Sequence, residues 1–198
     1  DKRNYDWRER IDADGLTNNS DERDNGADRR EKAEKQWINP YLRNKITLTS
    51  LHTMILDDEY FMRQALAEAK LAFSEDEIPI GAVIVNKNRI IARAHNLTET
   101  LNDVTAHAEM QAITAAASVM GGKYLTDCTL YVTVEPCPMC AGALRWAQIA
   151  KIVFGASDKK RGYHTVSPGM LHPRTQVVSG ILADECASLM QLFFEQKR

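Results

Sequence analysis

Two short stretches of the sequence contain side chains that together could bind a metal ion and move a proton. The first, AHAEM, places His107 and Glu109 two positions apart. The second, VEPCPMCAG, places Cys137 and Cys140 at C-x-x-C spacing. Imidazole and thiolate ligands suit zinc, and a carboxylate beside a zinc-bound water can act as a general base. The residue types therefore predict a three-ligand zinc site with Glu109 next to it.

Both pairs fall where a helix is expected to begin. AHAEMQAITAAASVM has a helical pattern that two glycines end, which places His107 at its start. Pro136 and Pro138 flank Cys137, and proline at the first helical position loses no hydrogen bond. Residues three apart share a helix face, so both cysteines can reach one ion. The positive end of the helix also favours the thiolate form that binds metal.

Two other interpretations, a redox pair and a structural zinc site, account for fewer of the residues in the two motifs. A redox role for the C-x-x-C pair gives no function to the nearby His-x-Glu or to the flanking prolines. A structural zinc site needs four protein ligands, and of the remaining cysteines Cys128 or Cys186 would have to supply the fourth. We expect both of these thiols to be buried and structural instead.

The elements that must position these side chains alternate along the chain from residue 57 onward. IPIGAVIV and RIIARAHN, joined by NKNR, predict a hairpin, and TLYVTV, AKIVFGA and TQVVSG predict further strands. DDEYFMRQALAEAKLAF and ILADECASLMQLFFEQKR predict the first and last helices, whereas KRGYHTVSPGMLHP is expected to be a loop. The order predicts an α/β fold in three layers, α/β/α, with a mixed sheet of about five strands.

The first part of the chain differs in composition from the rest. Residues 1–53 mix acids and bases with few apolar side chains, so they cannot bury enough surface to offset the entropy of ordering. We expect a disordered extension there and the zinc-dependent domain in residues 54–198. Our hypothesis is that Met54 is the natural start and that the extension is upstream or non-native sequence. An RNA-binding tail is the alternative, but its acids roughly balance its bases.

Overall composition excludes several classes of protein. The 198 residues are 44% hydrophobic, which is enough for one domain with a substantial core. A net charge of −2 means that a nucleic-acid partner would have to meet local basic patches. Four cysteines are too few for a disulfide-stapled secreted scaffold. Without a recognisable signal segment or membrane-spanning apolar run, we expect a soluble cytoplasmic protein with no membrane partner.

From Asp57 to Arg198 the sequence resembles the bacterial tRNA-specific adenosine deaminases, the TadA type of the cytidine-deaminase-like superfamily. H-x-E followed by P-C-x-x-C is the known signature of zinc-dependent nucleobase deaminases. The matching stretches are IPIGAVIV, TAHAEM, TLYVTVEPCPMCAGA, IVFGASD and GILADECASLM, and the last two favour the tRNA branch. The resemblance implies the cytidine-deaminase-like fold, a homodimer, and one Zn2+ per subunit held by His107, Cys137 and Cys140.

The reaction that the resemblance implies is hydrolytic deamination of adenosine to inosine at the wobble position of a tRNA anticodon. Glu109 would be the catalytic proton shuttle, and Asn96 would contact the flipped base. The other implied substrate-binding positions are Ala108 through its backbone, Pro79, Ile80, Val83 and Asp158. Two alternatives stay open: a deaminase of a free nucleobase or nucleotide such as guanine or cytosine, and a silent RNA-binding or assembly subunit. A silent subunit would have no need of Glu109, so the presence of this residue argues against that alternative.

Contacts with the tRNA anticodon stem-loop are expected in the loop SDKKRGYHTVSP. Basic groups can meet phosphates there and rings can stack on splayed bases. The resemblance places this loop beside the anticodon-loop channel, with contact candidates Lys159, Lys160, Arg161 and His164. The segment from Asp158 to Gly180 is shorter than the family pattern and lacks its usual glycine-rich stretch.

Three aromatic residues have ambiguous roles in the sequence. Trp146 fits either a subunit interface or the core. Phe193 and Phe194 are expected to pack the last helix onto the core, with an RNA-side role open for one of them.

Overall fold

The computed structural model describes residues 56–198. Its helices are α1 (Asp58–Ser74), α2 (Ala108–Met120), α3 (Pro138–Ala147), α4 (Tyr163–Val166) and α5 (Ala183–Gln196). Its strands are β1 (Gly81–Asn86), β2 (Arg89–His95), β3 (Cys128–Val134), β4 (Lys151–Ala156) and β5 (Gln176–Ser179). The predictions of a disordered extension over residues 1–53 and of a natural start at Met54 lie outside the described residues.

The five strands form one mixed sheet in the order β2-β1-β3-β4-β5. The strand β1 runs antiparallel to both β2 and β3, whereas β3, β4 and β5 run parallel to one another. Parallel neighbours need a crossover connection, and α3 provides the one between β3 and β4. The predicted α/β fold with a five-stranded mixed sheet is confirmed.

Each face of the sheet carries its own hydrophobic core, which creates the three layers. Side chains alternate along β1, so Ala82 and Ile84 pack in a cluster with α2 and α3. Val83 and Val85 belong to the opposite cluster, which includes residues of α1 and α5. Cys128 and Cys186 are both buried thiols, as expected, one in each cluster.

Helix α1 packs directly against the start of β1. Asp57 caps it by accepting a hydrogen bond from the Tyr60 N–H at 2.8 Å. A Cβ atom at Gly81 would lie only 2.2 Å from the Ala65 carbonyl oxygen. Glycine at the first position of β1 therefore permits this close approach, and any side chain there would push the helix away.

One predicted loop contains a helical turn. Within KRGYHTVSPGMLHP, the four residues of α4 are too few to produce a detectable hydrophobic period. The turn is fixed by tertiary contacts instead: the Tyr163 N–H donates to the Pro136 carbonyl at 2.9 Å, and the Tyr163 ring is buried.

Within residues 56–198, no helix is both long and apolar enough to cross a bilayer.

Candidate active site

Three predicted metal ligands meet where two helices begin. His107 and Cys137 are the N-cap residues of α2 and α3, and Cys140 lies in the first turn of α3. His107 Nδ1 lies 3.6 Å from Cys137 Sγ and 3.5 Å from Cys140 Sγ. A tetrahedral zinc with Zn–S of about 2.3 Å and Zn–N of about 2.0–2.1 Å places nitrogen and sulfur about 3.5 Å apart. The spacing fits zinc with Nδ1 as the histidine ligand atom.

Protons compete with a metal ion for these three side chains. A hydrogen bond from Cys140 lowers the pKa of Cys137 to about 4, and a bond from His107 acts in the same direction. The same contact between the thiols, together with burial, raises the pKa of Cys140. The hydrogen bond to Cys137 also raises the pKa of His107. Because the ligands bind as thiolates and neutral imidazole, metal uptake here releases protons.

Glu109 lies in the first turn of α2, beside the ligands. Its side chain is buried, and its Oε2 has no hydrogen-bond partner among the described residues. An unsatisfied buried oxygen costs about 1–3 kcal/mol, so such atoms in native proteins usually bond to a water or ligand. Burial raises the pKa of the Glu109 carboxyl group. A carboxyl with these properties suits a proton carrier at a hydrolytic metal site.

His107 and Cys137 line a cavity of about 530 Å³. Polar and charged side chains outnumber apolar ones in its walls. Its volume lies in the range of small-molecule sites and leaves room for a nucleobase with its ribose. Besides His107, Cys137 and Glu109, the lining residues are Ile78, Ile80, Asn96, Thr98, Val134, Glu135, Asp158, Lys160, Arg161, Met190 and Phe194.

The structure brings together only part of the predicted substrate-binding set. Asn96, Ile80 and Asp158 line the cavity, and buried Ala108 directly follows His107. Pro79 is buried without lining the cavity. The prediction that Val83 forms the pocket wall needs correction. Since side chains alternate along β1, Val83 points to the α1 face of the sheet, opposite the metal ligands.

The four candidate RNA contacts are all exposed but divide between two surfaces. Lys160 and Arg161 line the cavity at the metal ligands. Lys159 and His164 line a neighbouring cavity of about 790 Å³. Glu135 and Asp158 line both cavities, so the two surfaces adjoin.

Glu135 holds the basic loop against the metal site, and the sequence reasoning did not single it out. Its carboxylate, 7% exposed, accepts hydrogen bonds from the Asp158 N–H at 3.1 Å and the His164 N–H at 3.0 Å. Asp158 Oδ1 in turn accepts from the Lys160 and Arg161 N–H groups. The sequence contained one indication of this role: Glu135 lies directly between the predicted buried strand TLYVTV and the prolines that flank Cys137.

The sequence analysis also missed other residues of the site, most of them close in sequence to residues that it did predict. Ile78, Thr98, Val134 and Met190 line the cavity, and buried Glu77 lies behind it. Helix α5 contributes Phe194 to the lining, with 46% of its surface exposed, whereas Phe193 is buried against Phe73. Of these two phenylalanines, only Phe194 is therefore placed where it could contact RNA.

Comparison with known proteins agrees with this site. The family model of the cytidine and deoxycytidylate deaminase zinc-binding region matches residues 56–156. The tRNA-specific adenosine deaminase of Bacillus subtilis (strain 168) is 46% identical over 146 residues, which cover 71% of this chain and 91% of that protein.

Two solved structures are also similar. One comes from a study of A-to-I editing by tRNA:A34 deaminases at the wobble position of transfer RNA. It is 43% identical with a TM-score of 0.62, and the match covers 66% of this chain and 98% of that one. The other is a guanine deaminase from Bacillus subtilis, 38% identical with a TM-score of 0.50, over 58% of this chain and 71% of that one.

Proposed function

The chain belongs to the tRNA-specific adenosine deaminases of the cytidine and deoxycytidylate deaminase family, and on this basis we propose that it converts adenosine to inosine at the wobble position of a tRNA anticodon. Its cofactor is zinc, because the matched family region binds zinc and His107, Cys137 and Cys140 have the spacing for that ion. The observation that carries the proposal is this ligand set beside Glu109, whose buried Oε2 has no partner among the described residues.

The chemistry needs a nucleophile and a proton carrier. Zinc held by His107, Cys137 and Cys140 would act as a Lewis acid and make water a better nucleophile near neutral pH. Glu109 can accept a proton from the attacking water and deliver protons to the purine ring and to the departing amine. Its raised pKa helps it to hold the proton between these transfers. Overall, oxygen from water replaces the C6 amino group and ammonia leaves.

The tRNA anticodon stem-loop is the proposed partner. Lys160 and Arg161 are exposed where the loop after β4 meets the cavity, so their charges can reach phosphates on either side of a flipped nucleotide. Phe194 offers an exposed ring at the same opening. Because tRNA is the substrate, the proposed location is the cytoplasm.

The proposed assembly is a homodimer that uses the outer face of α3. Trp146 is 82% exposed and Met139 is 37% exposed, and the seven-residue spacing places both on one face of that helix. Large apolar side chains exposed together on a helix favour a protein interface. The exposure of Trp146 rules out the core position that the sequence had left open.

A free-base deaminase is the second candidate, favoured by the similarity to the guanine deaminase. One experiment separates the two. Zinc-loaded protein is incubated with an anticodon stem-loop RNA that has adenosine at the wobble position, and in parallel with free adenine, guanine and cytosine. Inosine in the RNA with unchanged free bases supports the proposal. Release of ammonia from a free base, with the RNA unchanged, would support deamination as the reaction but contradict tRNA as the substrate.

A further inference from the structure

Glu77 is a fully buried carboxylate that the reaction described above does not use. It is 0% exposed and lies between α1 and β1, where its N–H donates to the Ala72 carbonyl at 2.9 Å. Burying a charge is strongly unfavourable unless hydrogen bonds compensate for the lost water. The partners of this carboxylate therefore indicate what it does.

All of its hydrogen-bond donors come from the segment that follows β2. Oε1 accepts from the Thr100 N–H at 2.7 Å, and Oε2 accepts from the Glu99 N–H at 3.2 Å. Oε2 also accepts from Asn96 Nδ2 at 2.9 Å and from Thr98 Oγ1 at 3.3 Å. Burial by itself raises the pKa of Glu77, but these bonds outweigh it and keep the pKa below its usual value. The carboxylate therefore stays ionised at neutral pH.

An ionised carboxylate determines which way the Asn96 amide points. A carboxylate only accepts hydrogen bonds, so the Asn96 atom that faces Glu77 must be the nitrogen. Nδ2 also donates to Thr98 Oγ1 at 2.8 Å. Within residues 56–198 no donor reaches Asn96 Oδ1. Since Asn96 and Thr98 both line the cavity and Glu77 does not, the buried charge acts on the cavity through these two side chains.

We propose that Glu77 is a positioning residue that fixes the Asn96 amide with Nδ2 against the carboxylate and Oδ1 available to a donor group of the nucleoside. An amide without such a partner can flip, so that its nitrogen and oxygen exchange places. The carboxylate prevents this flip, so Asn96 always presents Oδ1 to the nucleoside. This inference rests on the proposed function, because the nucleoside is the ligand that Asn96 would contact.

A double-mutant cycle separates positioning from a general structural role. We would measure kcat and KM on the wobble-adenosine stem-loop RNA for Glu77→Gln, Asn96→Ala and the double variant. Glu77→Gln is expected to raise KM about tenfold with kcat within about threefold and zinc content unchanged, which corresponds to the loss of about one hydrogen bond to a charged group. In the Asn96→Ala background the same change should alter kcat/KM less than about twofold.

The control is Glu75→Gln, which removes a nearby exposed carboxylate that bonds to His95 and should leave both constants unchanged. A tenfold effect of Glu77→Gln that persists in the Asn96→Ala background overturns the inference. If Glu77→Gln does not fold, Glu77→Asp takes its place in the cycle, because it keeps the buried charge but shortens the side chain, which draws the carboxylate away from Asn96 Nδ2.

A second measurement does not depend on deamination. The side-chain amide signal of Asn96, assigned by its loss in Asn96→Ala, should exchange slowly with solvent in the wild-type protein and at least about tenfold faster in Glu77→Gln. Equal exchange in both proteins overturns the inference even if the RNA is not deaminated. Slow exchange in the wild type with no deamination of RNA contradicts the proposed function and leaves the positioning of Asn96 intact.

Discussion

Glu135 and Gly162 are in direct contact across the loop that follows β4. A Cβ atom at residue 162 would lie 2.4 Å from the carboxyl carbon of Glu135. The backbone must pass this close for the carboxylate to accept the N–H groups of both Asp158 and His164. Glu135 is two residues from Cys137, so this contact joins the metal site to the basic loop.

Gly162→Ala should therefore displace the basic loop without removing a metal ligand. The added methyl group must move the Glu135 carboxylate or the loop, since no real Cβ contact is this short. We expect KM for the stem-loop RNA to rise about tenfold or more, with zinc content unchanged. The control is Gly122→Ala, where the added Cβ meets nothing within 4 Å. Equal KM values for Gly162→Ala and wild type would contradict the role of this contact.

Glu109→Gln tests the proton carrier directly. Glutamine keeps the size of the side chain but cannot accept and release the proton, so kcat should fall by at least about 10²-fold. Zinc content, measured by elemental analysis, should be unchanged because Glu109 is not among the three ligands. Glu75→Gln again serves as the control for removal of a carboxylate. Substantial turnover by Glu109→Gln would show that this role is wrong.

Local sequence patterns predicted the fold and the placement of the proposed metal ligands at the starts of two helices. His107 and Cys137 each begin a helix, and the residues that begin and end a helix lie close together in the sequence. The face to which Val83 points depends on which side of the sheet α1 packs, and that contact is between distant elements. Strand alternation alone gives two possible faces, and the resemblance selected the wrong one.

Glu77 and Glu135 were missed for a related reason. Each accepts hydrogen bonds from residues about 20 to 30 positions away, such as Asn96 and His164. Nothing in the local pattern of a single chain distinguishes a buried carboxylate with distant donors from an exposed one. Short elements held by tertiary contacts, such as α4, are hidden for the same reason.

Asp58 should make the stability of the fold depend on pH. Burial favours its neutral form, but hydrogen bonds from Lys151 at 2.8 Å and Tyr131 at 2.8 Å outweigh this and lower its pKa below 3.8. A group with a lowered folded-state pKa stabilises the protein above its unfolded-state pKa and loses this effect as pH falls through the folded value. Asp58→Asn should lower the free energy of unfolding at pH 7 by about 1 kcal/mol.

Urea unfolding of both proteins at matched pH values checks this prediction. The difference between wild type and Asp58→Asn should be constant from pH 7 to about pH 5 and shrink below about pH 4. Comparison at each pH removes the effect of acid on metal binding, which both proteins share. A difference that stays constant down to pH 3 would show that Asp58 does not titrate as described.

Trp146→Glu should convert the proposed dimer to monomers. The ring is 82% exposed on the outer face of α3, so a charge there does not disturb the core. Placed at the centre of an apolar interface, the same charge would be desolvated without a partner and would weaken association by several kcal/mol. Sedimentation should give a dimer for the wild type and a monomer for the variant, with equal zinc content. A wild-type monomer, or a Trp146→Glu dimer, would contradict this interface.

The adjacent rings of Phe194 and Phe193 provide a matched pair for the last prediction. Phe194 lines the cavity and is 46% exposed, so Phe194→Ala should remove a stacking surface worth about 1–3 kcal/mol per base and raise KM for the RNA about tenfold. Phe193 packs edge-on against Phe73 with ring centroids 5.8 Å apart, so Phe193→Ala should lower the free energy of unfolding by about 3–5 kcal/mol. Kinetics on the stem-loop RNA and urea unfolding of both variants separate the two roles. Loss of stability in Phe194→Ala with an unchanged KM would place both rings in the core and remove this surface from RNA binding.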